Sequence, residues 1–193
     1  MSAAGGWSPR AVIRCANRPR ASTRGRCGRC WPRHEHPGRL TPALDRDRPA
    51  LFSIYARAKL DALRNEPVVP PLRPLQDDAA RLAVSEASRV RVAAADDVLG
   101  FGACTPGRIG MLFVDPAGRG RGIGTALLAR MLEGMDAAVD LDVVASDTAA
   151  RALYDRAGFR FDSRVRVACN GMAVEVSGLR RPASSADATI RRA

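Results

Sequence analysis

The chain has 193 residues, 46% of them hydrophobic, which is enough for one soluble domain with its own core. Its formal charge of +11 sits at the ends: residues 1–37 carry +7, residues 178–193 carry +3, and the stretch between carries only +1. The balanced middle gives no footprint for a nucleic acid backbone, no apolar run approaches the roughly 20 residues that cross a bilayer, and the N-terminus lacks a secretory apolar stretch, so the expected location is the cytoplasm.

Residues 1–37 are rich in Arg, Pro and Gly, lack periodicity, and read as a disordered extension. Within them, Cys27, Cys30, His34 and His36 are zinc-ligand types, but their spacing is shorter than zinc fingers use, so no metal site is expected. The five cysteines are odd in number, three lie in this extension, and reduced thiols are expected. The folded domain is expected over 38–178, with a flexible tail over 179–193.

Order is expected to begin with a short strand at RLTPA (39–43). Asp45 and Asp47 then offer helix N-caps, and Pro49 suits a first helical turn. Leu51, Ile54, Tyr55, Ala58 and Leu63 form an apolar stripe through a helix over 49–66, which the prolines of PVVPPLRP (67–74) stop. A second helix is expected over Leu75–Ser88. RVRVAAADDVLGFGACTPGRIGMLFVDP reads as three strands, with turns at Asp96-Asp97 and Pro106-Gly107. Next come a glycine-rich loop and a helix over Gly124–Met135 that buries Leu127, Leu128, Met131 and Leu132. The alternation in VDLDVVAS predicts a strand over 139–146, and a helix over Ala149–Ala157 ends at Gly158. Asn170-Gly171 predicts a type I′ turn in the closing hairpin.

The loop lies in DPAGRGRGIGTALL (115–128). Its glycines do not fall at positions 1, 3 and 6 of the dinucleotide fingerprint, and it has no Lys for a P-loop. Gly120, Gly122 and Gly124 nevertheless clear the approach to a helix start, where unpaired N–H groups and the helix dipole favour an anion. Arg119 and Thr125 can add side-chain hydrogen bonds to a pyrophosphate.

Arg119-x-x-Gly122-x-Gly124, following the apolar strand Leu112-Phe113-Val114, resembles the coenzyme A loop of the GNAT acetyltransferases. Downstream, DTAARALYDRAGFRF (147–161) resembles that family's second block, with Ala150, Leu153, Tyr154, Gly158 and Phe159 in register. The two motifs stand in family order, one helix and one strand apart. The resemblance covers about residues 38–177. It implies a mixed α+β fold: a mostly antiparallel, twisted sheet of six to seven strands flanked by about four helices. It also implies acetyl-CoA as co-substrate, held by Leu112, Phe113, Val114, Arg119, Gly120, Arg121, Gly122, Ile123, Gly124, Thr125, Asp147 and Tyr154.

By the same resemblance, Tyr154 is the proton donor to the departing thiolate. Where some members carry a strand Glu as base, this chain has Gly110; where others carry Glu on the next strand, it has Asp142, a shorter candidate base or simply a solvated carboxylate. Asp147 replaces the family's usual Asn and has a second use as a helix cap. The folded part offers no Ser-His-Asp or Cys-His pair. The expected function is an N-acetyltransferase, a monomer or homodimer, acting on a primary amine of a small molecule or peptide by direct transfer. The alternative is a coenzyme A-binding domain that senses or interacts without catalysis.

Overall fold

The computed structural model of the protein describes residues 38–183; the expected N-terminal extension with Cys27, Cys30, His34 and His36, and the chain beyond 183, lie outside the described residues. In chain order the elements are β1 (Arg39–Pro42), α1 (Arg48–Ala62), α2 (Ala79–Glu86), β2 (Arg89–Ala94), β3 (Val98–Thr105), β4 (Arg108–Val114), α3 (Ile123–Leu132), β5 (Val139–Val144), α4 (Thr148–Arg156), β6 (Arg160–Cys169) and β7 (Met172–Arg181). The strands form one seven-stranded sheet in the order β1-β2-β3-β4-β5-β7-β6. Every neighbouring pair is antiparallel except β4–β5. This is the expected mixed α+β class, with four α-helices and a mostly antiparallel sheet.

The helices cover both faces. Leu128 and Met131 of α3 and Tyr154 of α4 pack with Ile109, Val139, Leu141, Val143 and Leu179 on one face. Leu51, Ile54 and Tyr55 of α1 pack with Leu75, Val92, Phe101, Ala103 and Met111 on the other. Helix α3 presses so closely on β3 that a Cβ at Gly102 would stand 2.5 Å from the Met131 sulfur. In the closing hairpin Asn170 (φ 50°) and Gly171 (φ 85°) make the two-residue turn with both residues left-handed.

Several boundaries differ from the expectation, some through side-chain hydrogen bonds and some through the backbone itself. Helix α1 ends at Ala62 rather than 66, because Asn65 donates to the Ser146 carbonyl at 3.3 Å and Glu66 accepts from the Ser146 hydroxyl at 2.5 Å. Asp47 stands at the N-cap position of α1, but its carboxylate accepts the Leu44 N–H at 2.8 Å across a 3-10 turn over Asp45–Asp47. The helix expected over Leu75–Ser88 is a 3-10 turn (Leu75–Asp77) followed by α2; Asp78 breaks it and caps α2 by accepting the Arg81 N–H at 3.1 Å. Helix α3 stops at Leu132, short of Met135, with Gly134 left-handed beyond it. Strand β5 stops at Val144, where Asp147 N–H turns back to the Val144 carbonyl.

The tail expected from 179 is corrected as well: β7 runs to Arg181. Leu179 is buried opposite Leu141, and Arg180 lies opposite Asp140 and pairs with it at 3.2 Å.

Candidate active site

The parallel pair β4–β5 is short. It pairs only Arg108 with Asp140 and Ile109 with Leu141, and then the strands part. The parting coincides with a β-bulge. On the other side of β4, Cys104 stands opposite Ile109 and Ala103 opposite Met111, so Gly110 is the extra residue. A bulge bends its strand and increases local twist, which carries the rest of β4 away from β5. It also resets the alternation, so that Ile109 faces α3 and α4 while Met111 and Phe113 face α1.

The parted strands open a groove of about 750 Å³ that is lined from both faces of the sheet. On one face its wall is the β4–α3 loop, the start of α3, and α4. On the other it is α1, α2 and the β6–β7 hairpin. Beyond Ile109 the backbone groups of β4 that point toward β5 have no strand opposite them, so an extended ligand arm can pair there as a strand would.

The β4–α3 loop leads into the start of α3 through two glycines. Gly120 (φ 76°) and Gly122 (φ 77°) are both left-handed, and a Cβ on either would meet nothing within 4 Å. The first bond at the start of α3 runs from Ala126 N–H to the Gly122 carbonyl at 3.0 Å, which leaves the N–H groups of Ile123, Gly124 and Thr125 without a helical acceptor. At Gly124 a Cβ would stand 3.4 Å from Leu153 and 3.5 Å from Val114, ordinary contact distances that place the start of α3 beside α4 and β4. A diphosphate fits this cradle of open space, exposed donors and a positive helix end.

The groove brings together Leu112, Phe113, Val114, Arg119, Gly120, Gly122, Ile123, Gly124, Thr125, Asp142, Asp147 and Tyr154. Arg121 is not among its lining residues; its position is exposed, one residue before the turn into α3. Ile123 contributes only backbone, since its side chain is buried against Ala93 and Leu127. Arg119 lies against the Asp61 carboxylate of α1, and Arg57 pairs with Asp115 at 2.5 Å, so the loop is tied to α1. At Asp115 burial raises the carboxyl, but the Arg57 and Ala117 hydrogen bonds outweigh it and hold the group below the usual carboxylate range.

Tyr154 is buried, with its ring edge-on to Phe159 at 5.8 Å between centroids. Burial first, then the nearby Asp147 charge, raise the phenol well above the ordinary tyrosine range. Asp147 caps α4 by accepting the Ala150 N–H at 3.0 Å. Asp142 lies on the opposite face of the sheet from Tyr154 and pairs with Arg108. Gly110 lines the groove without a side chain, and a Cβ there would meet Val84 of α2 at 2.9 Å.

The sequence reading did not single out Lys59, Arg81 or Arg108, which line the α1–α2 side. Lys59 was open to notice: it is the only lysine in the chain, and it stands four residues after Tyr55 on the buried stripe of α1.

The acetyltransferase (GNAT) domain family matches residues 78–161, a span that holds β4, β5, the glycine loop and Tyr154. Over those residues the chain carries the pattern of a GNAT acetyltransferase domain. Solved GNAT structures share its fold. A GCN5-related N-acetyltransferase from Rhodopseudomonas palustris superposes with a TM-score of 0.64 at 19% identity, over 75% of this chain and 95% of that one. A phosphinothricin acetyltransferase from Sinorhizobium meliloti, in complex with AcCoA, gives 0.61 at 18%, over 80% and 92%. The ribosomal-protein-S18-alanine N-acetyltransferase from Escherichia coli gives 0.60 at 20%, over 78% and 97%. No curated protein sequence matches the chain. Among the described residues, no helix is long and apolar enough to cross a membrane, and no group of His, Cys, Asp and Glu has the arrangement of a metal site.

Proposed function

We propose that this protein is a cytoplasmic N-acetyltransferase that moves an acetyl group from acetyl-CoA directly to a primary amine of a small molecule or peptide. The observation that carries the reading is the single groove between β4 and β5, with an anion cradle at one wall and access from both faces of the sheet. When bound, acetyl-CoA supplies an activated thioester carbonyl. Gly120, Gly122, Gly124 and Thr125 hold its pyrophosphate by backbone N–H groups, and Arg119 adds a guanidinium after turning from Asp61. Unpaired backbone of Leu112–Val114 holds the pantetheine arm and donates to the carbonyl oxygen, where one such donor is commonly worth about 2.7–4 kcal/mol at the transition state.

The amine nitrogen attacks the carbonyl carbon, so a C–N bond forms as the C–S bond breaks. Asp142, on the α1–α2 side, takes the proton lost by the amine through water. Tyr154, on the α4 side, faces the departing sulfur. Its raised proton affinity keeps it protonated, so it donates a hydrogen bond as negative charge collects on sulfur. The thiolate then takes the Tyr154 proton and leaves as the thiol, and the phenol is refilled from solvent, to which Asp142 releases the proton of the amine.

Initial rates of coenzyme A release, measured while acetyl-CoA and an amine are both varied over a panel of amino acids, polyamines and short peptides, test the reading. Intersecting reciprocal lines are expected for direct transfer. Parallel lines would show a covalent acetyl-enzyme and overturn it. Tight acetyl-CoA binding with no amine-dependent release would point to the non-catalytic coenzyme A-binding domain instead.

A further inference from the structure

The α1–α2 side of the groove is the acceptor's side in the proposed reaction, and its charge is uneven. Three cations, Lys59, Arg81 and Arg108, line it against one carboxylate, Asp142. Arg108 is engaged by Asp142, and Arg81 by Asp78 at 3.6 Å. Lys59 makes no ion pair among the described residues. At the tip of the β6–β7 hairpin, Asn170 donates to the Pro71 carbonyl at 2.6 Å.

An amine acceptor is itself cationic in water. A polyamine or other purely basic acceptor would meet like charge at Lys59 and Arg81, whereas an amine that also carries an anion would meet a waiting partner. We infer that the acceptor is an amine bearing a carboxylate, of the amino acid or short peptide class, and that Lys59 is the specificity-determining residue that pairs with that carboxylate. The inference rests on the acetyltransferase reading and narrows its substrate class. The surroundings agree. Burial first, then the Arg81 charge, lower the Lys59 ammonium, while Cys169 and Asp78 act in the opposite sense; Tyr55 completes the cluster. A bound carboxylate would supply the missing counter-charge.

The test compares each of several amino acids with its own carboxamide, by kcat/KM with acetyl-CoA, in wild type, Lys59→Met and Lys59→Arg. Wild type is expected to prefer the carboxylate form by about tenfold to a hundredfold, the scale of one charge-assisted hydrogen bond. Lys59→Met is expected to erase that ratio through KM, and Lys59→Arg to keep most of it. The change of ratio between proteins cancels the different basicity of the two amines. A wild type that treats both forms alike, or a Lys59→Met protein that keeps the preference, overturns the inference. If no amine of either kind is acetylated, the acetyltransferase reading fails. Lys59 is then judged by calorimetry of N-acetyl amino acids against their amides on the coenzyme A complex. There, a carboxylate preference lost in Lys59→Met supports the anion site, and equal binding overturns it.

Discussion

The Tyr154 hydroxyl is the most exposed point of the proposed chemistry to a single change. It makes no hydrogen bond among the described residues, so Tyr154→Phe removes a donor while leaving the ring against Phe159. The expected result is a fall in kcat of about 10²–10⁴-fold, the range of a positioned proton donor, with acetyl-CoA affinity and melting temperature nearly unchanged. A loss of only a few-fold would remove Tyr154 from the chemistry. The pH dependence has a fixed sign. A raised pKa keeps the phenol in its working, protonated form, so any alkaline fall in kcat due to Tyr154 lies above about pH 10. An alkaline limb near pH 9 that vanishes in Tyr154→Phe would contradict this. Arg119→Ala is expected to raise the acetyl-CoA dissociation constant by about tenfold or more, as for one charge-assisted hydrogen bond, and calorimetry reads it directly.

At the scale of elements, the glycine loop and the α3–β3 contact make separable demands on the chain. Gly122→Val forces a β-branched residue to φ 77°, which costs about 1–2 kcal/mol in backbone strain, and it fills the cradle. Thermal melting should show the first effect and a weakened acetyl-CoA titration the second. Gly102→Val overpacks α3 against β3 at Met131, and a loss of about 1–3 kcal/mol is expected with the cradle intact. The strands and the turns at Asp96-Asp97, Pro106-Gly107 and Asn170-Gly171 were legible because period-2 alternation and turn residues each act over a few neighbouring residues, as does the spacing of the loop glycines. The helix ends were less so: Asp78 and the Asn65–Glu66 contacts with Ser146 redirect the backbone through partners that periodicity does not contain. The bulge at Gly110 was not legible either, since it is defined by what β3 places opposite it.

For the whole molecule, the consequence of that bulge is a sheet with an interior opening, reached from two faces that carry different chemistry. The α3–α4 face supplies the anion cradle and Tyr154, and the α1–α2 face supplies Asp142 and the cations. The side proposed for acetyl-CoA draws its residues from two short contiguous motifs, which is why the sequence could suggest it. The acceptor side was not, because Lys59, Arg81, Arg108 and Asp142 come from four elements and meet only through the fold. The opening itself can be followed by hydrogen exchange. In the free protein the β4 amides facing β5 beyond Ile109 should exchange quickly, and adding acetyl-CoA should protect those in Leu112–Val114. Unchanged exchange there, alongside demonstrated binding, would place the pantetheine arm elsewhere.

The central claim is that this groove transfers an acetyl group to an amine. Mass spectrometry of reactions containing the full chain, acetyl-CoA with a labelled acetyl group, and the amine panel tests it most directly. The label is expected on the nitrogen of an acceptor, in amounts matching coenzyme A released and sharply reduced in Tyr154→Phe. Label found only in acetate, or product formation indifferent to Tyr154→Phe and Gly122→Val alike, would contradict it.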